Sequence, residues 1–353
     1  MTGDLGDEMR PGGGRLATRV EPPASPSWTS ARVETAAETA AGAPPDATVK
    51  AAVARIPRLA RLSPGDYAVR RLSSFTNATY RLDVGTESFA LRVPGVGTAQ
   101  YIDRAVEGLN ARIAAAAGVA APVEWFDDAD GLMLTRWVNG RTTSAGRLRR
   151  PRVGGRAVTA LARVHALPQP FCGRYDVFDV IRSYQTVLAA ARLPLPPVFA
   201  ELAGPIVTIE QALSAGAVPL VPCHNDPCPG NIIDTGSGIC LIDWEYAGMG
   251  DPMGDLADLS VEARYASHDD KLMLKTYYGG RVPRAAKSRL ALYKVMSDCA
   301  WGVWSFVQLV HAKPGVDYRQ YGLRRLARAR RRIEAPKFAR HLDAVAGAPS
   351  HAS

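Results

Sequence analysis

The hydrophobic pattern of this 353-residue chain changes its period once, near Asn139-Gly140. Before that point, apolar and polar residues alternate through Thr79–Val84 and Phe89–Val93, which predicts a β-hairpin closed around Gly85. After it, apolar residues recur every three or four positions, the spacing of one face of a helix. The chain is therefore predicted to be an α+β protein with a small β-rich front lobe, a larger helical back lobe and a cleft between them, which is a favoured place for a ligand.

Each lobe contains an exception to its main pattern. In the front lobe, Asp103 is placed to cap a helix that runs to about Ala117, and a further strand is expected at 132–137. In the back lobe, residues Asn231–Asp234 and Ile239–Asp243 predict a small hairpin. The remaining back-lobe segments are predicted helices, at 153–167, 176–192, 198–214, 253–264, 268–278, 284–311 and 317–333.

The ends of the chain have a different composition from its body. Residues 1–50 contain six Gly, six Pro and one aromatic residue, Trp28, so they cannot bury enough apolar surface to offset their ordering entropy. They are predicted to be a disordered tail. The front lobe is assigned to residues 51–138, the helical lobe to residues 139–345, and a short disordered end to residues 346–353.

The formal net charge of +9 raises nucleic acid or another anionic surface as a possible partner. The combined net charge of two short segments exceeds the net charge of the whole chain. Residues 319–340 contain nine Arg or Lys and one Glu, and residues 147–156 contain five Arg and no acidic residue. In the first window the spacing of the basic residues favours a solvated helix face, so no nucleic-acid partner is predicted; these residues are Arg324, Arg328, Arg331 and Arg332.

Cysteine usage and hydropathy point to a cytoplasmic protein without a membrane partner. The five cysteines are odd in number, and no two of them form a C-x-x-C pair, so neither a disulfide framework nor a zinc ribbon is indicated. No apolar leader is visible at the N-terminus. The most apolar long stretch, Val295–Val310, is interrupted by polar residues and is short for a bilayer.

The densest chemical signal is the run His224–Asn231, followed by Asp243 at the end of the small hairpin. The hairpin should bring Asn231 and Asp243 close together, and such hard oxygen ligands suit Mg²⁺. Asp226, close by on the preceding loop, could then orient or deprotonate a hydroxyl, which is the arrangement that phosphoryl transfer needs. A turn rich in Asp, Asn, Pro and Gly is the ordinary structural explanation, but it accounts poorly for the full spacing.

This run, together with Ile242–Gly248, resembles the choline/ethanolamine kinases and the related aminoglycoside phosphotransferases, closest to the choline kinase branch. The resemblance covers about residues 70 to 333. It implies a protein-kinase-like bilobal fold with ATP bound between the lobes, the front lobe being the nucleotide-binding one. It also implies that Asp226 is the catalytic base and that Asn231 and Asp243 hold Mg²⁺.

The resemblance extends to nucleotide-binding residues of the front lobe. Arg92 takes the place of the phosphate-binding basic residue, and Glu107 on the following helix matches the acidic residue that anchors it. The loop over the phosphates carries no glycine in this chain, so its contacts with ATP are assigned to backbone amides from Ser74 to Asn77.

The acceptor site is predicted around Trp301 and Trp304, which share a helix face three residues apart. An aromatic box with one carboxylate holds quaternary ammonium groups through cation–π attraction. By the resemblance, Glu262 supplies the carboxylate and Tyr318 a further ring, so the acceptor is choline or a related amino alcohol. On their own, the two indoles would be explained by packing in a buried helix.

Two further residues of the family pattern are read as structural. Asp255 is expected to pin the loop beyond Asp243, and His224 to brace the catalytic loop by hydrogen bonds rather than to move protons. Alternative functions remain open: a kinase of another alcohol, such as an aminoglycoside, thiamine or a sugar, or a non-catalytic pseudokinase or basic nucleic-acid binder.

Overall fold

The computed structural model describes residues 46–72, 77–95, 97–310 and 316–347. Most of the predicted N-terminal tail, up to residue 45, lies outside the described residues. The same is true of the predicted end from residue 348 onward and of Ser74 in the phosphate loop.

The front lobe is a five-stranded antiparallel sheet with one helix before it and one within it. In spatial order the strands are β1-β2-β3-β5-β4. The predicted hairpin is present, and Gly85 turns it with a positive φ of 58°. The elements are α1 (Ala47–Arg55), β1 (Tyr67–Leu72), β2 (Ala78–Val84), β3 (Glu87–Val93), α2 (Arg104–Ala116), β4 (Val123–Phe126) and β5 (Met133–Arg136).

The back lobe is mainly helical, and together the lobes form the bilobal α+β fold that the sequence predicts. Three short strand pairs complete it: β6 with β8, β8 with β9, and β7 with β10. The elements are β6 (Arg141–Thr142), α3 (Ala145–Leu148), α4 (Pro151–His165), α5 (Val177–Ala190), α6 (Pro197–Ala215), β7 (Val221–Cys223), β8 (Ile232–Asp234), β9 (Ile239–Leu241), β10 (Gly248–Gly250), α7 (Pro252–Glu262), α8 (Ser267–Tyr277), α9 (Ala286–Val310), α10 (Tyr318–Ile333) and α11 (Phe338–Ala346).

One hydrophobic core is shared between the two lobes. Phe126 and Met133 of the front-lobe sheet pack in the same buried cluster as Ile232 and Leu241 of the β8–β9 hairpin. Separate cores lie under the front sheet and among α5, α6, α9 and α10. Because the hairpin belongs to the shared core, its ends are held at the edge of the cleft between the lobes.

The first helix of the described residues begins before the predicted boundary at residue 51. Asp46 caps α1, because its side chain accepts a hydrogen bond from the amide of Val49 at 2.9 Å. Val49 and Val53 are then buried with the front-lobe core. Composition does not distinguish this helix from the segment that precedes it, since both are rich in Ala.

The arginines of α10 are not simply a solvated face, so that part of the charge interpretation is wrong. Arg328 and Arg332 both pair with Asp298 of α9, which is fully buried, and Arg325 is itself buried. Part of the helix face that was predicted to be solvated therefore forms ion pairs with a buried carboxylate. Within the described residues, no helix is both long enough and apolar enough to cross a membrane.

Candidate active site

The loop between β7 and β8 carries Asp226, and a buried carboxylate holds the backbone of this loop. Asp255, at the start of α7, accepts hydrogen bonds from the amides of His224 at 2.9 Å and Asn225 at 2.6 Å. His165 donates to the same carboxylate from Nε2 at 2.9 Å. Burial alone would raise the pKa of Asp255, but the hydrogen bond and charge of His165 keep it below its usual value.

The side chain of His224 ties this loop to the β8–β9 hairpin. Its Nε2–H donates to the carbonyl oxygen of Ile242 at 3.0 Å, and its Nδ1 accepts from the amide of Asp226 at 3.2 Å. Both ring nitrogens are therefore used by the backbone, and burial lowers the pKa of the imidazole. Such a neutral, fully engaged ring can hold the loop.

Asp226 and Asn231 contact each other directly. The Asn231 amide nitrogen donates to Asp226 Oδ2 at 2.8 Å and to its carbonyl oxygen at 3.0 Å. Burial raises the pKa of the Asp226 carboxyl, and the charges of Asp258 and Asp243 raise it further. A carboxylate of this kind is a stronger proton acceptor than an exposed one.

The β8–β9 hairpin also places Asp243 beside Asn231. The amide of Ile242 donates to the carbonyl oxygen of Asn231 at 3.0 Å, so Asp243, the next residue, lies at the same end of the hairpin as Asn231. Asp243 has a φ of 67°, in the left-handed region that is uncommon for residues other than glycine. Strain of this kind persists where the surroundings fix the residue, and it is common at functional sites.

Arg92 of β3 connects Asp243 to the front lobe. Its Nη1 donates to Asp243 Oδ1 at 2.7 Å, and its other terminal nitrogen forms an ion pair with Glu107 of α2. Both Arg92 and Glu107 are buried. Burial alone would lower the pKa of Arg92, but the charges of Glu107 and Asp243 raise it overall, so the guanidinium stays charged.

Three carboxylates at this point could hold a metal ion. Oxygen atoms of Glu107, Asp243 and Glu245 all lie within 4.8 Å of one another. Burial and the charge of Asp243 raise the pKa of Glu245 to about 7. Its Oε2 also accepts from the Asn77 side-chain amide at 3.3 Å. The ligand atoms of these three carboxylates are oxygens, which Mg²⁺ prefers, so this set fits the ion. It contains Asp243 of the predicted pair together with Glu107 and Glu245, which were not predicted as metal ligands. Asn77 lies at the same place.

Aromatic rings collect on the helical side of Asp226. The ring centroids of Trp301 and Trp304 lie 5.6 Å apart, and Tyr318 lies 6.0 Å from Trp304. Tyr246, from the loop before β10, packs edge-on against Trp301 at 5.4 Å. The structure therefore brings the three predicted aromatic residues together and adds Tyr246, which the sequence analysis did not select.

The acidic residue against these rings is Asp258, not Glu262. Trp301 Nε1 donates to both carboxylate oxygens of Asp258 at 2.9 Å, and Ser297 also hydrogen bonds to it. Both donors are neutral groups. Burial raises the pKa of Asp258 to about 6, because no full compensation for its charge is present.

Glu262 has a different neighbour. It forms an ion pair with the buried Arg325 of α10, whose guanidinium also donates to the hydroxyl of Tyr321. Glu262 as the acid that faces an acceptor therefore stays a prediction, and its carboxylate is already held by a cation. Asp258 lies one turn earlier on the same helix, a spacing that could have marked it as a second candidate.

A cavity of about 280 Å³ opens beside the catalytic loop. Its wall includes Asn225, Asp258 and Trp301, together with Tyr175 and Tyr293. Polar and aromatic groups thus face one small space next to the loop that carries Asp226. The space suits a small molecule rather than a polymer.

Comparisons with known proteins agree with this geometry. A model of the phosphotransferase enzyme family matches residues 68–293. Protein LicA of Haemophilus influenzae is 28% identical over 268 residues, which cover 73% of this chain and 98% of LicA. A solved choline/ethanolamine kinase family protein from Mesorhizobium loti is 36% identical, with a TM-score of 0.73, over 84% of this chain and 98% of that one.

The fold is also shared with a more distant solved structure. Choline kinase LicA from Streptococcus pneumoniae has a TM-score of 0.66 and 23% identity, and the match covers 75% of this chain and 92% of that chain.

Proposed function

Because the chain belongs to the phosphotransferase enzyme family, in its choline/ethanolamine kinase-like branch, we propose that it phosphorylates the hydroxyl of choline or a related amino alcohol, using ATP and Mg²⁺. The chain is an enzyme, a small-molecule kinase. The proposal concerns its phosphate donor, its ion and its acceptor.

The observation that carries the proposal is the contact of Asp226 with Asn231 at 2.8 Å, next to the Arg92–Asp243 pair. In the proposed reaction, the acceptor hydroxyl gives its proton to the Asp226 carboxylate. The acceptor oxygen forms a bond to the γ-phosphorus of ATP, the bond from that phosphorus to the bridging oxygen breaks, and ADP leaves.

Asn231 and Asp243 would hold Mg²⁺, which when bound neutralises charge on the transferring phosphates. The Arg92 guanidinium, fixed between Asp243 and Glu107, lies at the same edge of the cleft and would meet phosphate oxygens with a planar pair of donors. Asn77 and the amides from Ser74 onward are proposed to contact the nucleotide from the front lobe.

The acceptor's cation is proposed to lie among the aromatic rings near Asp258. Aromatic faces attract an ammonium by cation–π interaction, worth about 2 kcal/mol when the pair is desolvated. Trp301, Trp304 and Tyr318 supply the rings. Asp258 supplies a buried negative charge that accepts no hydrogen bond from a cationic group of the described residues, although the charge of Arg325 acts on it. A positively charged alcohol fits this site better than a neutral sugar does.

A coupled assay of ADP release over a panel of alcohols tests the proposal. The panel contains choline, ethanolamine, thiamine, an aminoglycoside and glucose, each with ATP in the presence of Mg²⁺ and again with EDTA. We expect turnover with choline or ethanolamine and loss of turnover with EDTA. Turnover of only another alcohol would overturn the acceptor assignment, and turnover that survives EDTA would overturn the role of the ion.

A further inference from the structure

A second cavity of about 650 Å³ lies on the back lobe, outside the candidate active site. It is bounded by α8, the first half of α9, the end of α10 and the start of α11. Its floor is apolar, since Leu274, Leu290 and Val295 are almost fully buried beneath it, with Val282 and Phe338 at its sides. Its volume lies within the range of about 300 to 1,000 Å³ that is typical of sites for small organic molecules.

The rim of this cavity is strongly cationic. Six Lys or Arg residues line it against one acidic residue, Asp270; the six are Lys271, Lys275, Lys287, Lys294, Arg332 and Lys337. Two of the six are engaged with carboxylates: Lys294 Nζ lies 2.7 Å from Asp270 Oδ2, and Arg332 pairs with Asp298. Within the described residues, the other four ammonium groups form no ion pair with a carboxylate.

The positive charge of these lysines affects a side chain that lines the cavity. His341, which also lines it, has a pKa lowered by burial and by the charges of Lys287 and Lys337. The imidazole is therefore neutral near pH 7 and adds no further positive charge. An excess of positive charge above an apolar floor is left without a partner in the described part of the chain.

These two properties together select a class of ligand. Inorganic phosphate would meet the lysines but leave the apolar floor uncovered, and a neutral lipid would cover the floor but leave the charges unmet. A nucleic acid, with its charged backbone, does not enter a cavity whose floor is buried and apolar. We propose that this cavity binds an amphiphilic anion, a single hydrocarbon chain that carries a carboxylate or phosphate head, with the chain on the floor and the head at the rim lysines.

Calorimetric titration of the full chain tests this, with single-chain ligands kept below their micelle concentration. The probes are dodecanoate, dodecyl phosphate, neutral dodecanol and inorganic phosphate. We expect both anionic amphiphiles to bind, with affinities that fall as salt is added. We expect dodecanol and phosphate to bind about tenfold more weakly or not at all, because each meets only half of the site. The tighter of the two anions then identifies the head group.

The variant Lys271→Glu/Lys287→Glu reverses two rim charges on exposed side chains. We expect it to weaken binding of the anionic amphiphiles by about tenfold or more, with an unchanged melting temperature and unchanged kinase turnover. Val282→Asp places a negative charge at the side of the floor and should weaken binding as well. Lys50→Glu, which reverses one charge on the exposed face of α1, is the control and should leave affinity unaltered.

Four results would overturn the proposal. Equal binding of dodecanol would make the cavity a site for apolar chains in general, and equal binding of inorganic phosphate would make it a simple anion site. Binding that the rim variants leave unchanged would place the ligand elsewhere on the protein. If an acidic amphipathic peptide bound and the anionic lipids did not, the surface would be a protein-docking site.

Discussion

Replacing Asp258 by Asn should make the protein more stable and a poorer kinase for a cationic alcohol. Asp258 is 6% exposed, and its hydrogen-bond donors, Ser297 and Trp301, are neutral. Its negative charge costs folding free energy that the nearby charge of Arg325 offsets only in part, and an acceptor cation would add a further partner. Asparagine has nearly the same shape and removes that charge.

The effect on stability follows from the pKa of Asp258, which rises from 3.8 to about 6 on folding. A shift of about two pKa units corresponds to about 3 kcal/mol against the ionised form. Because the folded pKa is the higher one, this penalty is absent below pH 3.8, develops between pH 3.8 and about 6, and is fully present above that. Asparagine loses one acceptor oxygen, at about 1 kcal/mol, so the variant should gain about 2 kcal/mol at pH 7.5 and little at pH 4.5.

The effect on catalysis has the opposite sign. At about 5 Å and an effective dielectric constant of about 20, two unit charges attract by about 3 kcal/mol, which is roughly 100-fold in affinity. The attraction is present in the ground state and the transition state alike, so KM for choline should rise by up to that factor with kcat little changed. The carbon isostere of choline, which has no charge, should be affected by less than about threefold.

Initial rates with choline and its isostere, together with urea unfolding at pH 7.5 and 4.5, measure these effects. Glu210→Gln is the control, since Glu210 lines the same cavity but is partly exposed and paired with Arg182. The reasoning fails if KM rises equally for the charged and neutral alcohols. It also fails if the variant is no more stable than the wild type at pH 7.5.

Three further changes test other parts of the site and fold. Asp226→Asn removes the proposed proton acceptor, so kcat should fall about a thousandfold while ATP binding by calorimetry is retained; residual turnover near wild type would remove Asp226 from the reaction. Arg92→Lys keeps the charge but cannot bridge Asp243 and Glu107 with a planar fork, so KM for ATP should rise about tenfold; an unchanged KM would contradict the phosphate contact. Asp298→Asn leaves three arginines of α10 without their buried carboxylate and should cost about 3 to 5 kcal/mol in urea unfolding, whereas loss of an exposed ion pair in Glu201→Gln should cost less than about 1 kcal/mol.

Local sequence was sufficient to predict that Asn231 and Asp243 lie at the same end of the small hairpin. Asn231 and Asp243 are joined by one tight hairpin, so their spacing along the chain determines their proximity in space. The alternation in β2 and β3 likewise predicted a hairpin, which the structure contains. In both cases each contact is made within about a dozen residues, and periodicity carries that information.

The acceptor side could not be resolved in the same way, because its pairings are between distant helices. Asp258 and Glu262 lie on one face of α7, and the sequence does not say which of them meets an indole and which meets an arginine. Trp301 is 43 residues from Asp258, and Arg325 is 63 residues from Glu262. Those choices depend on how α9 and α10 pack, which no local pattern encodes.

The same long-range packing changes what the net charge of +9 means for partners. Three arginines of α10, Arg325, Arg328 and Arg332, pair with the buried Asp298, because a guanidinium donates several hydrogen bonds in fixed directions and is less strongly hydrated than an ammonium. The lysines at the mouth of the second cavity are exposed and hydrated, and α8 supplies two of them, Lys271 and Lys275. These three arginines pair with the interior of the lobe, whereas Arg319, Arg330 and Arg331 of the same helix are exposed. The arginine count of α10 therefore does not by itself locate an anion-binding surface, and the one that we propose is lined mainly by lysines.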